Sequence, residues 1–562
     1  MYKSFVSIIC ALTLVAPAFA KPPNEKNMAA GQLNQDDLKQ IIADLHEHIP
    51  VLASDEYGGR APATRGEELT LAYLAGQFKA MGLEPGNGDS YLQQVPVTES
   101  ITSPDTTLSV RGKDFEAQFS YGDEMIAFSE QQVAKTALTD SPMVFVGYGI
   151  VAPERDWNDY AGVDVRGKTV VILINDPGYA SQDESLFNGN AMTWYGRWVY
   201  KYEEAARQGA AGALIIHETG AAAYGWDVVY SSWSRPQISL TASNLNADKS
   251  EVIGWLSQDS ARALFAAAGL DYAKQVAAAA RPGFRAVPMG DLTASITLDN
   301  TLRNSVSNNV IAVIPGSERP DESIIYTAHW DHLGTNPKVE GDNIYNGAVD
   351  NASGTAALLS LARLFSELPA RPERSVAFLA VTAEESGLLG SRWYSENPLF
   401  PLETTVANIN IDGMVVDGPM RDVVVVGYGN SELDDYLRTA VSRQKGRYVD
   451  REPHPERGGY YRSDHFNFAR VGVPALYAES GEDSFDHGRE WGAQQSQEYT
   501  AKRYHSPLDE YDPSWDLSGA GLDIMLYFDI GLQLSMESTF PNWSESNEFK
   551  AIRDASASAR GK

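Results

Sequence analysis

The chain has 562 residues, 43% of them hydrophobic, with 45 Lys and Arg against 75 Asp and Glu for a formal charge of −30. That length supports a sizeable core and roughly two to four domains. The acidic balance excludes nucleic acid and anionic membrane as partners and says little about substrate.

The first twenty residues, MYKSFVSIICALTLVAPAFA, read as a secretory signal. Lys3 supplies the positive charge, Phe5 to Val15 the apolar core, and Ala18-Phe19-Ala20 the small-x-small cleavage site. A membrane anchor needs a longer apolar span of about 20 residues, and no later segment supplies one. The expectation is an exported protein, periplasmic or extracellular, with no membrane span. Cys10 is the only cysteine and leaves with the signal. Disulfides, a cysteine nucleophile and thiolate ligands are therefore excluded, and any metal must be held by His, Asp and Glu.

Residues 21–33 read as a flexible leader, and Asp36 to Leu83 shows helical spacing interrupted by the loop DEYGGRAPATRGEE. His46, Glu47 and His48 lack the gap that puts two zinc-binding histidines on one helix face, and read as surface residues. Short alternating stretches from Leu92 to Phe128 predict antiparallel strands. PMVFVGYGIVAP imitates a dinucleotide fingerprint, but Pro153 forbids the helix that the fingerprint needs. Strands at KTVVILIND and AGALIIHE flank the helical YKYEEAARQG, completing a β-rich module near ARPGFRAVPMG. From SNNVIAVIPG onward strands alternate with helices, which predicts an α/β fold with a mixed, mostly parallel sheet flanked by helices. The predicted organisation is a signal peptide at 1–20, an N-terminal segment at 21–100 that packs on the catalytic domain, an inserted β-rich module at 101–295, the α/β domain at 296–540 and a frayed polar tail at 541–562.

One stretch organises the last domain. Val376 to Val381 is a continuous apolar run, as in a strand buried on both faces. It leads into Glu384 and Glu385, at the strand end where open α/β sheets keep their chemistry. In an extended segment neighbouring side chains point opposite ways, so one glutamate is free to hold a metal while the other moves a proton. Four further strand ends carry metal-type side chains: His329, Asp331 and His332 in YTAHWDHLG, Asp350 in NGAVDNASG, Asp412 in NINIDG and His505 in RYHSPLDEYD.

The run HWD…AVDNASGTAALLSLAR…EESGLLGSRWY…NIDGM…SDHFNF…YHSPLDEYD, over residues 305–535, resembles the two-zinc exopeptidases of metallopeptidase family 28. DEYGGRAPATRG resembles that family's N-terminal segment, and the β-rich module its inserted protease-associated domain. The resemblance implies the zinc exopeptidase fold and two Zn²⁺ per chain. His329 and Asp412 would hold one ion, Glu385 and His505 the other, and Asp350 would bridge them. It implies Glu384 as general base, Tyr504 as an oxyanion donor, Asp331 orienting His329 and Asp509 orienting His505. Asp464 and His465 match the SDH motif and are expected to shape the substrate side or a loop. Arg457, Arg462 and Arg489 are candidates for binding a substrate carboxylate. The implied activity is removal of N-terminal residues from peptides. The alternatives are a glutamate-carboxypeptidase-like dipeptidase, a single-zinc glutaminyl cyclase and a receptor-type binding protein.

Overall fold

The computed structural model describes residues 33–560 apart from Ser546; the expected signal at 1–20, with Cys10, lies outside them. Helix α1 (Gln35–Leu52) opens with a capping box. The Asn34 side chain accepts from the Asp36 amide, and the Asp37 carboxylate accepts from the Asn34 amide. Ile41, Leu45 and Ile49 of α1 and Leu71, Leu74 and Phe78 of α2 (Arg65–Ala80) enter one buried cluster with the strands described below. His48 is no surface residue. It is buried on the core face of α1, with Nδ1 2.7 Å from the Tyr73 hydroxyl, while His46 meets the Tyr511 hydroxyl. The spacing rule for metal histidines says nothing about a helix face that packs inward.

Strand β1 (Leu92–Thr102) leads into a sheet in which β2 (Lys135–Phe145), β3 (Thr169–Leu173), β4 (Gly212–Ile216) and β5 (Val252–Leu256) are parallel neighbours. Helix α3 (Trp198–Arg207) packs on β4. After Gly147 and Gly149 the chain enters only the short 3₁₀ turn Pro153–Arg155, as Pro153 requires.

Strand β6 (Val287–Ile314) is 28 residues long and serves two sheets. Its first part pairs antiparallel with β2, Asn300–Val310 pairs with β1, and Val310–Ile314 pairs with β8 (Arg374–Val381). The expected boundaries at 100/101 and 295/296 thus fall inside β1 and β6 rather than in linkers. The second sheet continues through β8, β7 (Arg319–His329), β9 (Thr405–Asn410) and β10 (Ala475–Ser480), all parallel. Together with antiparallel β6 they form the mixed, mostly parallel sheet. Val376, Phe378 and Ala380 pack toward α1, α2, α4 (Gly354–Ser366) and α5 (Ser518–Met536). Ala377, Leu379 and Val381 pack on the other face with Phe466, Phe468 and Trp543. A run apolar at every position is what burial on both faces demands.

The tail is not frayed over its described part. Trp543 and Arg553 are buried, and Arg553 donates to the carbonyls of Thr405 (2.8 Å) and Val406 (3.1 Å) at the start of β9. A polar composition hid two side chains that finish the sheet's edge. Among the described residues no helix is long and apolar enough to cross a membrane.

The N-terminal segment is tied to the strand ends by Arg60, which is 1% exposed. Its guanidinium donates to the carbonyls of Leu52 (2.7 Å), Trp330 (2.9 Å), Asn346 (2.6 Å) and Gly347 (2.8 Å). Gly59 beside it has φ +68°, and a Cβ there would collide with the carbonyls of Gly334 and Tyr345. Removing one partner of a buried charged network strands several acceptors. Arg60→Met is expected to lower stability by about 3 kcal/mol or more. Arg60→Lys should recover little, because an ammonium cannot fan over four carbonyls. Urea unfolding followed by circular dichroism checks both, and a Lys variant as stable as wild type would contradict this role for Arg60.

Candidate metal and catalytic centre

The parallel order of β7, β8 and β9 brings their carboxyl ends to one edge, and His329, Glu384–Glu385 and Asp412 follow from those ends. His329 Nδ1 lies 3.1 Å from the Asp331 carbonyl, which only accepts, so Nδ1 carries the proton. This leaves Nε2 to face Asp412 Oδ1 at 3.0 Å and Asp350 Oδ1 at 3.2 Å. On the other side His505 Nε2 sits 3.1 Å from Glu385 Oε2 and 3.3 Å from Asp350 Oδ2. The two oxygens of one carboxylate, Asp350, therefore address two separate groups of ligand-type atoms. The backbone turns that achieve this include Gly347 at φ +56°, where a Cβ would strike the Asp350 carbonyl and the His332 ring.

The glutamate pair divides differently from the strand alternation expected of it. Both residues lie beyond β8 in a bend entered through Ala383 at φ +52°, closed by amides of Gly387 and Leu388 on the Glu384 carbonyl. Glu385 turns toward His505 and His332, whereas Glu384 lines a cleft of about 680 Å³ with Asp412, Glu479, Arg462 and Tyr504. Burial raises the Glu384 carboxyl well above its ordinary value; His329 pulls it back, and Asp412 and Glu385 push it further. Burial would also raise Glu385, yet the imidazoles of His505 and His332 outweigh that and hold it at about 2. His505 in turn rises to about 10, the neighbouring Glu385 and Asp350 carboxylates overcoming its burial.

Zinc suits this donor set of imidazoles and carboxylates. Ligand-type atoms of His329, Asp350 and Asp412 lie within 4.8 Å of one another, as do those of His332, Asp350 and Glu385. His332 Nδ1 approaches Glu385 Oε1 to 2.7 Å, yet neither atom has an aligned hydrogen-bond partner. Two buried ligand-type atoms side by side, neither with an aligned hydrogen-bond partner, fit a shared cation.

Residues 309–529 match the profile of peptidase family M28. This segment belongs to peptidase family M28. The probable glutamate carboxypeptidase AMP1 of Arabidopsis thaliana is 27% identical over 371 residues, covering 61% of this chain and 47% of its own length. The aminopeptidase NAALADL1 of Mus musculus is 38% identical over 140 residues, 23% of this chain and 17% of that one. The chain thus spans about half or less of the curated relatives' own length. Among solved structures, an aminopeptidase from Aneurinibacillus sp. strain AM-1 is 20% identical, with 88% of this chain and 93% of that chain covered and a TM-score of 0.45.

Around the M28 centre the remaining expected residues take varied places. Asp331 orients His329 through its backbone carbonyl; its carboxylate is 3.8 Å from Nδ1 and instead accepts the Glu384 amide at 3.0 Å. Asp509 does not orient His505. Its carboxylate accepts the amides of Val349 and Asp350, because the turn at 503–509 aims it beneath the Asp350 loop. The Tyr504 ring stacks on His505, centroids 3.9 Å apart, at the exposed cleft rim. Arg457, Arg462 and Arg489 all line the cleft, and Arg489 is paired with Asp422 and Asp450.

Three contributors carry no assigned role in the sequence reading. His332 lies in HWDHLG, and a third histidine-or-acid residue within four positions was its only signal. Ser463 donates to Asp412 Oδ2 (2.6 Å) and accepts from Asn410 (2.7 Å), which accepts from Thr327 (2.8 Å), so a polar chain inside the sheet aims Asp412. Glu479, at the end of β10, is raised to about 7 by burial and then by Asp412 and Glu452.

His465 stays outside the centre, its ring 4.7 Å from Tyr460 and 5.1 Å from Tyr477, and burial lowers it to about 3. An imidazole lowered on folding is protonated first in the unfolded chain. Its contribution to stability is present above about pH 6.5 and drains away as pH falls toward 3. Stability should therefore fall by up to about 1.4 kcal/mol per pH unit between pH 6 and 4 on account of this ring alone. His465→Gln should show a shallower slope by that amount in unfolding measured across the range. Equal slopes would mean that the ring stays protonated inside the fold.

Proposed function

We propose that this M28 chain is an exported, zinc-dependent exopeptidase that removes N-terminal residues from peptides. The observation that carries the reading is the division of the two Asp350 oxygens between the His329–Asp412 and His505–Glu385 groups. His329, Asp412, Glu385, His505 and Asp350 would hold two zinc ions, with His332 beside the second. Zinc bound there would supply an acidified water and polarisation of the scissile carbonyl.

The chain's own groups do the rest. Glu384 accepts the proton of the attacking water and returns it to the leaving amine, a role suited to a carboxyl whose pKa is raised. The Tyr504 phenol, at the rim beside His505, donates to the developing oxyanion. Glu479 gives the cleft a half-buried carboxylate that, among the described residues, forms no ion pair with an arginine or lysine, suited to an α-ammonium group. Residues 101–295 act as an inserted protease-associated module that walls the cleft and excludes folded proteins. Export rests on the N-terminal twenty residues. A glutamate-carboxypeptidase-like activity is the second reading, favoured by Arg457 and Arg462 in the cleft.

Glu384→Gln is expected to keep two zinc ions and lose about 10²–10⁴-fold in kcat. Glu385→Gln should lose zinc, and Asp350→Ala should release both ions. Elemental analysis beside kcat on free-amine, amine-blocked and carboxyl-blocked dipeptides decides. One tightly bound metal in an active wild type, with no gain on adding zinc, would favour the cyclase instead.

A further inference from the structure

Glu384 and Glu385 share one loop, which leaves the end of β8 at Thr382 and runs into the helix Leu389–Glu396. Its two ends lie side by side. The Gly390 amide donates to the Thr382 carbonyl at 2.9 Å, and the Leu389 amide to the Ala383 carbonyl at 3.0 Å. The backbone ladder between β6 and β8 stops at the pair Val310–Ala380, before the loop begins. There a side chain takes over. Asn309 precedes Val310 on β6 and is fully buried. Its Oδ1 accepts the Thr382 amide at 3.0 Å, and its Nδ2 donates to the Gly390 carbonyl at 2.9 Å and to Gln93 Oε1 at 3.0 Å. An N–H needs an acceptor and a carbonyl needs a donor, so only this orientation of the amide serves both ends. The fit is tight: a Cβ on Gly390 would come within 2.3 Å of the Thr382 carbonyl and 2.5 Å of Asn309 Oδ1.

The loop is braced from other sides as well. The Thr382 hydroxyl lies 2.6 Å from that of Ser307, which donates to Glu67 Oε2 at 2.8 Å. Glu67, on α2, is buried and also accepts from Asn308 at 3.0 Å. On the apolar side Ala383 and Leu389 enter a buried cluster with Val95 and Val97 of β1. Ala383 is held there at φ +52°, a conformation that a non-glycine residue keeps only where its surroundings impose it. None of these bracing residues lines the cleft. Asn309 alone among them bonds to both ends of the loop.

We propose that Asn309 is a positioning residue: by pinning Thr382 to Gly390 it fixes where Glu384 and Glu385 point, and so governs proton transfer and zinc retention together. The inference rests on the exopeptidase reading for the roles of the two glutamates. Displacing a reacting group by about 1 Å costs up to about 10²-fold in rate. Losing a group that orients a ligand costs about 10–100-fold in metal affinity.

The test compares the full chain with its Asn309→Ala and Asn300→Ala variants. Asn300 is the control: it lies on the same strand, buried, with side-chain bonds to Thr102 (2.9 Å) and the Val133 carbonyl (3.2 Å), far along β6 from the loop. Three readings are taken: hydrogen exchange of the peptide spanning 382–391, zinc affinity by chelator competition, and kcat and KM on free-amine dipeptides. Asn309→Ala should speed exchange of the loop amides by about tenfold, the scale of one or two lost hydrogen bonds. It should weaken zinc by about tenfold or more, and lower kcat of the zinc-loaded protein by about 10–10²-fold with KM little changed. Asn300→Ala should match wild type in all three. Should Asn309→Ala fail to fold, Gln93→Met spares both loop bonds, removes only the acceptor that steadies the Asn309 amide, and should shift the same readings in the same direction by less. A wild type that cleaves no peptide would remove the exopeptidase reading, and loop exchange with zinc affinity would still decide the clamp. Loop exchange unchanged in Asn309→Ala, changed equally in Asn300→Ala, or raised without loss of zinc affinity or kcat, overturns the proposal.

Discussion

Everything at the strand ends is governed by the need to keep like charges close together. Asp331, Asp350, Glu384, Glu385, Asp412 and Asp464 all lie at or behind one sheet edge, largely out of water. Crowded carboxylates repel, and burial makes each charge costlier still. The chain answers with His329, His332 and His505 between them and with Arg60 behind them, whose cation feels Asp350, Asp331 and Asp509. The backbone contributes as well, through the amides of Val349, Asp350 and Glu384. A set of donors held this way is arranged before any cation arrives, so the folding of the sheet bears the cost of assembling it.

The sequence displayed the parts of this arrangement that depend on period and position. The all-apolar run at 376–381 announced a doubly covered strand because burial on two faces leaves no polar position. The metal-type residues could be recognised because parallel strands deliver whatever follows them to one edge. Their identities also recur in a family pattern, and residues 309–529 match it.

Other features left no such trace. Arg60 bonds only to backbone carbonyls, and any residue type can offer a carbonyl, so nothing in the sequence around Leu52, Trp330, Asn346 or Gly347 advertises the contact. Ser463 works through a neighbour that is distant in sequence. The inward faces of His48 and Arg553 were masked by polar composition, which reports average exposure rather than direction. The split of Glu384 from Glu385 depends on one left-handed residue, Ala383, which carries no glycine to mark it. Even the seam between the two sheets had no compositional edge, since two strands run straight through it.

That last point bears on motion. Many two-part enzymes close over a substrate by bending at a few loop residues between their parts. Here β1 and β6 cross the seam as a continuous hydrogen-bonded ladder from Asn300–Thr102 to Val310–Leu92. A hinge at this place would have to break ladder bonds, which a loop hinge never does. The two sheets are accordingly fastened to each other by backbone pairing rather than by a loop. Any movement at the cleft is left to the segments that line it, between residues 349 and 504, such as the one that carries Tyr504.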